Sequence, residues 1–291
     1  QSLKGAVVYL SLVSFFQGLI LLLFLVGRFL KKKSNPPYTF FLVALGLLLW
    51  TFFGLFRFLS PETSHLLSEY ALQHEAAINL LLLGVGTRLF PGILGHQQVV
   101  QKQKAFYEKD VSFFKTIPLS FSGLGAVFFG SYFVPSTYVW VANYGQLIIV
   151  GLIGFFFWRL HHLPQEKSML TWNLWVGLWL FLLGYASKAF WPAGGIHGQH
   201  IFFVGSYFLL ILVVATRVMR AHGGIPKSQE NSKVLAIIGG LAVLSMATRV
   251  SSYVMINSYD THLSYAAALL ILATLVWVGK IGPWLFSEPK E

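Results

Sequence analysis

Long runs of apolar side chains, broken by short polar or basic connections, recur from one end of the chain to the other. A helix that crosses a bilayer needs about 20 mainly apolar residues, because every backbone polar group in hydrocarbon must be satisfied within its own segment. Nine stretches meet that length, near residues 5–30, 38–59, 66–94, 111–133, 137–159, 169–191, 198–221, 232–256 and 263–286. They predict an all-α fold, a polytopic transmembrane helical bundle of about nine spans. The connections are too short to build a second core, so residues 1–291 are read as a single integral membrane domain. The first run lacks a short apolar core followed by a small-residue cleavage site, and no signal peptide is expected there.

Composition agrees. Residues of the AVILMFWYC set make up 56% of the chain, charged residues 11%, and the mean hydropathy is +0.67; a soluble domain would carry about 25% charged residues. The net charge of +11 is a matter of placement. Arg28 and Lys31–Lys33, then Lys102, Lys104, Lys109 and Lys115, then Arg159 and Lys167, then Arg217, Arg220, Lys227 and Lys233, and finally Lys280 and Lys290, follow alternate spans. Sixteen of the 21 basic residues therefore fall on one side. Short cytoplasmic loops are enriched in Lys and Arg, which puts the N-terminus outside and the C-terminus in the cytoplasm. The basic balance is then explained by topology and by attraction to anionic membrane lipid, and no nucleic-acid partner is expected. With no cysteine in the chain, disulfides, thiolate metal sites, iron–sulfur clusters and cysteine nucleophiles are excluded, so any metal must take His, Met, carboxylate or backbone ligands.

The basic residues outside that pattern carry more information. Lys4 sits at the terminus, Arg88 ends the third stretch, and Arg57 and Lys188 fall near the outer ends of theirs, within snorkelling reach of water. Arg249 is deeper: entering near Ser232 at about 1.5 Å per residue, it lies roughly 25 Å along its helix and requires an anionic partner, for which Glu69, Glu75 or an anionic ligand group would serve. Five histidines, His65, His74, His197, His200 and His262, lie in the outer half; His96, His161, His162 and His222 lie on the cytoplasmic side. His65 and His74 are nine residues apart and point to opposite faces, whereas His197 and His200 share a face if their helix begins that early. Such imidazoles cap helix ends and hydrogen-bond across helices, or they ligate haem iron or copper. A small-Thr-Arg step repeats at 86–88, 215–217 and 247–249. No P-loop, nucleophile elbow, HExxH or CxxCH occurs, so the common catalytic signatures are missing and no reaction is assigned.

The stretch His200-Ile-Phe-Phe-Val-Gly205, continuing through Ala215-Thr216-Arg217-Val218 to His222-Gly223-Gly224, resembles the hallmark segment of the NnrS family of haem- and copper-containing bacterial membrane proteins. Its spacings fit the family's H-x4-G, G-x11-R and R-x4-H pattern. Ala247-Thr248-Arg249 resembles the arginine that ends the next family helix, the stretch from Val276-Trp277-Val278 to Pro283-Trp284-Leu285-Phe286 is similar to its closing helix, and Gly86-Thr87-Arg88-Leu89-Phe90-Pro91 is similar to its GR-x-x-P step. The resemblance runs from about Gly86 onward. Typical members have more spans and open with a GFRPFF-like stretch and a WH-x-HE-like motif, neither of which occurs here; three absent helices would turn an inward N-terminus outward, as the loop charges do. The expectation is a shortened or split member, with a second membrane subunit supplying the missing helices.

The resemblance implies a multi-pass protein of the bacterial inner membrane linked to nitric oxide and nitrosative stress. Together with the residues it gives the expectation of a haem b with axial imidazoles from His200 and either His74 or His262. Arg249 with Arg57 or Lys188 would neutralise its propionates, and a diatomic ligand such as nitric oxide, or electron transfer, would be the business of the iron. Copper is a lesser expectation, with His197 and His65 as ligands. Two other readings stay open: a cofactor-free subunit or scaffold of a larger respiratory haem complex, and a transporter using Glu75, Arg88 and Arg249.

Overall fold

A computed structural model describes residues 2–31, 39–59, 75–108, 116–223 and 227–285. Among these residues every regular element is helical. Seven helical stretches are long and apolar enough to cross a membrane: Val8–Gly27, Phe40–Leu59, Ser136–Phe156, Met169–Phe190, Pro192–Ala221, Lys233–Ser251 and Ile256–Ile281. They fall on seven of the nine expected stretches. The other two are met by shorter apolar helices, Ala77–Ile93 and Gly123–Phe133, and the beginnings of those two expected spans, 66–74 and 111–115, lie outside the described residues.

In chain order the helices are α1 (Ser2–Leu30), α2 (Phe40–Leu59), α3 (Ala77–Ile93), α4 (Gln97–Glu108), α5 (Thr116–Gly130), α6 (Val139–Phe156), α7 (Met169–Phe190) and α8 (Gly195–His200). A π-helical segment (Ile201–Tyr207) then leads into α9 (Phe208–Gly223), followed by α10 (Lys233–Ser251) and α11 (Tyr259–Ile281). The chain forms two compact units, one of residues 1–92 and 97–149, the other of residues 93–96 and 150–291.

In the first unit α1 and α2 lie in close contact. Trp50 Nε1 donates to the Ser14 carbonyl at 3.0 Å, and Gly54 lets the helices approach until a Cβ there would stand 2.9 Å from the backbone nitrogen of Phe15; small residues at such crossings replace the missing hydrophobic drive between helices in lipid. Helix α4 was not among the expected elements, because its sequence QQVVQKQKAFYE is polar. Gln, Lys, Glu and Ala are good helix formers, and α4 is tied to α3 by Gln103 Nε2, which donates to the Thr87 carbonyl at 3.0 Å. Glu75 accepts from Tyr132 Oη at 2.9 Å.

In the second unit α7 contributes a long buried face, and Ser168 caps its start by accepting from the Thr171 N–H. Asn173 Nδ2 donates to the Leu235 carbonyl on α10 at 2.7 Å, Ser245 Oγ on α10 donates to the Ala266 carbonyl on α11 at 2.7 Å, and Trp277 Nε1 on α11 donates to Thr216 Oγ1 on α9 at 2.9 Å. Each bond satisfies a polar group where water is scarce. Tyr185 of α7 stacks on Phe202 of the π-helical segment, ring centroids 5.4 Å apart and planes 9° from parallel. Arg217 and Arg220 converge on buried Glu230.

Several ends differ from expectation. Helix α6 stops at Phe156, before the expected 159, because Arg159 adopts a left-handed conformation with φ 55°. Helix α8 begins at Gly195, whose φ of 49° suits a residue without Cβ, after a single turn at Pro192–Gly194. Helix α10 ends at Ser251 instead of 256, and α11 begins at Tyr259 instead of 263.

Candidate functional site

Arg249 occupies the last turn of α10 and is 7% exposed. Its Nη1 donates to Ser252 Oγ at 3.0 Å and reaches His197 Nδ1 at 3.2 Å, and its guanidinium lies over the Tyr259 ring, 5.7 Å from the centroid. Ser252 Oγ also stands 3.3 Å from His197 Nδ1. Tyr253 and Tyr259 flank the His197 ring at 5.5 and 6.0 Å, and Trp191 meets Tyr253 edge-on at 4.9 Å. The result is a buried cation walled by aromatic rings. Among the described residues no carboxylate pairs with it; the expected partner Glu69 lies outside them, and Glu75 belongs to the other unit.

The three described histidines of this region differ in what their Nδ1 atoms do. Arginine only donates, so the His197 Nδ1 that faces Arg249 accepts, and the proton of the neutral ring sits on Nε2. His197 is thereby engaged as an acceptor and has no nitrogen lone pair left to offer a metal. His200 is the reverse case: its Nδ1 lies within hydrogen-bond distance of the Ile196 carbonyl, which only accepts, so Nδ1 carries the proton and Nε2 keeps its lone pair. At His262, in the first turn of α11, Nδ1 is 3.3 Å from Ser251 Oγ. That hydroxyl donates to the Thr248 carbonyl at 2.9 Å, so it accepts from His262 Nδ1, and Nε2 is again the free base. A ring whose Nδ1–H is held by an oxygen is the form that ligates through Nε2.

The condition for His197 and His200 to share a face is met, since α8 begins at Gly195. Directly after His200 the winding widens to a π-helix over Ile201–Tyr207; such widenings are uncommon and cluster at functional sites. Gly184 of α7 packs so closely on this segment that a Cβ there would stand 3.0 Å from the Phe202 backbone nitrogen.

Lys188, in the last turn of α7, sits 5.7 Å from the ring centroid of Tyr185 on the same helix. Arg57 ends α2 in the first unit, and His65 and His74 lie outside the described residues. Among the described residues no group of three His, Asp or Glu is placed to hold a metal ion. Ser251, Ser252, Tyr253 and Tyr259 were missed from sequence. The signal for Ser252 is local: it follows Arg249 by three residues, so at a helix end its hydroxyl reaches back to the guanidinium, whereas the Ser251 hydroxyl turns to the Thr248 carbonyl and His262.

No curated protein and no solved structure matches the chain. The family model for NnrS protein matches residues 3–288, which carries the likeness well upstream of the motifs that begin at Gly86. Seven apolar helices and this near-complete match make the chain a multi-pass membrane protein, and it belongs to the NnrS family.

Proposed function

We propose that this NnrS protein binds a b-type haem in the bacterial inner membrane, whose iron His200 would ligate and whose propionate Arg249 would meet. The observation that carries the reading is the paired arrangement of one imidazole with its Nε2 lone pair free and, on a neighbouring helix, one buried guanidinium that no carboxylate among the described residues meets. The donor set fits the group. A buried arginine in a span is costly unless an anion or a polar partner compensates it, and a carboxylate brought by a ligand supplies a bidentate, charge-assisted partner.

The chain's own residues would do three things. Ile196 holds the His200 ring in the tautomer that presents Nε2. Ser251 does the same for His262, which is the second ligand candidate alongside His74. The rings of Trp191, Tyr253 and Tyr259 lower the local dielectric and so raise the strength of each charge interaction. When bound, haem would supply an iron centre able to take a diatomic molecule such as nitric oxide or to pass an electron. Copper at His197 draws no support from this geometry, since Arg249 occupies the histidine's acceptor nitrogen.

The test is a reduced-minus-oxidised optical spectrum of the purified protein, with iron and copper quantified on the same sample. Sharp b-type bands with stoichiometric iron are expected, and their loss in His200→Ala. Unchanged haem content in that variant overturns the ligand assignment; a featureless, metal-free wild-type protein overturns the haem reading and favours a cofactor-free subunit of a larger complex.

A further inference from the structure

A second cluster of nitrogen donors lies in the same unit, in the connection between the apolar stretches Ser136–Phe156 and Met169–Phe190. There the chain turns through Arg159, His161 and His162 and meets His96 from the short segment 93–96. The imidazoles of His161 and His162 are 4.1 Å apart between centroids, and His96 and His162 are 6.3 Å apart. His161 also stacks on Phe155 at 4.1 Å.

The cluster is held in place. The Gln165 N–H donates to the Leu94 carbonyl at 2.9 Å, the Leu160 N–H to the Gly154 carbonyl at 2.9 Å, and Trp175 Nε1 lies 3.2 Å from the carbonyls of both Leu160 and His162. Arg159 keeps a φ of 55° in this loop, a conformation that costs a side-chain-bearing residue energy and persists only where its surroundings fix it.

Among the described residues, two buried atoms of the cluster have no hydrogen-bond partner. His96 is 5% exposed, and its Nε2 is buried without a hydrogen-bond partner; Arg159 Nε is buried and unpartnered as well. Burial, then the charges of His162, Arg159 and His161, hold His96 below its ordinary pKa, and the slight desolvation of the exposed His161, with the charges of His162 and Arg159, lowers that group as well. The charges that lower these two imidazoles come from basic groups. Glu166 and Lys167 follow in the same loop. A buried guanidinium nitrogen and a buried imidazole nitrogen without partners, beside two exposed imidazoles, suit an anion with several acceptor oxygens.

We propose that His96, Arg159, His161 and His162 form a binding site for a phosphate-class oxyanion at the membrane edge. The three imidazoles are not placed to hold a metal ion together, and the permanent positive charge of the guanidinium among them opposes a cation and favours a phosphate, which offers several acceptor oxygens. Phe156 and Leu163, 60% and 64% exposed beside the cluster, give an apolar margin suited to acyl chains, so a phospholipid headgroup and a free phosphate are the two sources of the same chemistry.

The test uses the purified full chain. Inorganic phosphate is titrated into the detergent-solubilised protein by calorimetry. Separately, the protein is placed in nanodiscs of phosphatidylcholine with or without phosphatidylglycerol, and retained lipid is identified by native mass spectrometry. Arg159→Gln and His96→Asn are run alongside, each first checked for a wild-type melting profile; if Arg159→Gln melts early, Arg159→Gly replaces it, since glycine accepts the positive φ. Loss of one charge-assisted contact should weaken binding about tenfold. Saturable phosphate binding lost in the variants assigns the site to a free anion, and retained phosphatidylglycerol lost in the variants assigns it to a lipid; either supports the proposal. No binding of either probe, or binding that the variants leave unchanged, overturns it.

Discussion

Arg249 is held by a neutral imidazole, a hydroxyl and an aromatic face, none of which carries the negative charge that would offset its desolvation. Replacing a buried charge by an apolar side chain of similar size is often neutral or stabilising. The Arg249→Met protein, prepared without cofactor, should therefore melt at or above the wild-type temperature in detergent, by the equivalent of up to about 2 kcal/mol, while its haem content falls. A clear drop in melting temperature would make Arg249 a structural residue and remove the reason to assign it to a ligand. His96 gives a prediction of the opposite kind. In the folded chain burial and its cationic neighbours hold it below its ordinary value of 6.5; in the unfolded chain they do not. As pH falls below that value the unfolded chain takes up a proton that the folded chain refuses, so stability is lost towards acid and the histidine contributes no slope well above 6.5. Melting curves from pH 8 to pH 5 should show that slope, and His96→Asn should make it shallower. Of the site itself, the sequence made Arg249, His197 and His200 visible, because a cation in a span and an i, i+3 histidine pair are patterns. What it hid was the partner of each Nδ1, which depends on a carbonyl one turn back for His200 and on a serine across a helix boundary for His262.

At the scale of elements the apolar runs were legible because hydrocarbon demands unbroken length, and the seven long apolar helical stretches coincide with expected ones. What escaped was everything set by contacts. Helix α4 is polar and shows no apolar run, and the π-helical widening after His200 has no counterpart in periodicity. The two are instructive together with Pro91. Proline inside α3 has no N–H, so the Thr87 carbonyl four residues earlier loses its helical donor. Gln103 of α4 supplies the missing one, donating to that carbonyl at 3.0 Å from a position only 9% exposed. The unexpected helix thus repairs the broken one. Gln103→Leu should destabilise the protein by about 1–3 kcal/mol, the cost of a buried unsatisfied acceptor, whereas Gln101→Leu on the exposed face should change it little. Equal melting temperatures for the two variants would show that the Thr87 carbonyl is satisfied in another way.

For the molecule as a whole the open quantity is how often the chain crosses the bilayer, and its charge pattern makes this a sharp question. Sixteen of its 21 basic residues fall on one side if the two shorter apolar helices cross with the seven long ones. If neither crosses, every later span keeps its direction, because two crossings are removed together, but Lys102 and Lys104 on α4 then lie outside, against the enrichment of basic residues in short cytoplasmic loops. Helix α3 has 17 residues, which at about 1.5 Å each reaches roughly 25 Å, close to the hydrocarbon thickness but below it. The absence of native cysteine allows a direct measurement with single cysteines placed at exposed Gln101, Leu163 and Asn257 and a membrane-impermeant maleimide added to intact cells. Nine crossings with the N-terminus outside predict labelling at Asn257→Cys alone. Labelling at Gln101→Cys as well would leave seven crossings and put α4 on the outer surface. Labelling at Leu163→Cys in place of Asn257→Cys would reverse the orientation, and the basic loops would then have to be explained by something other than topology.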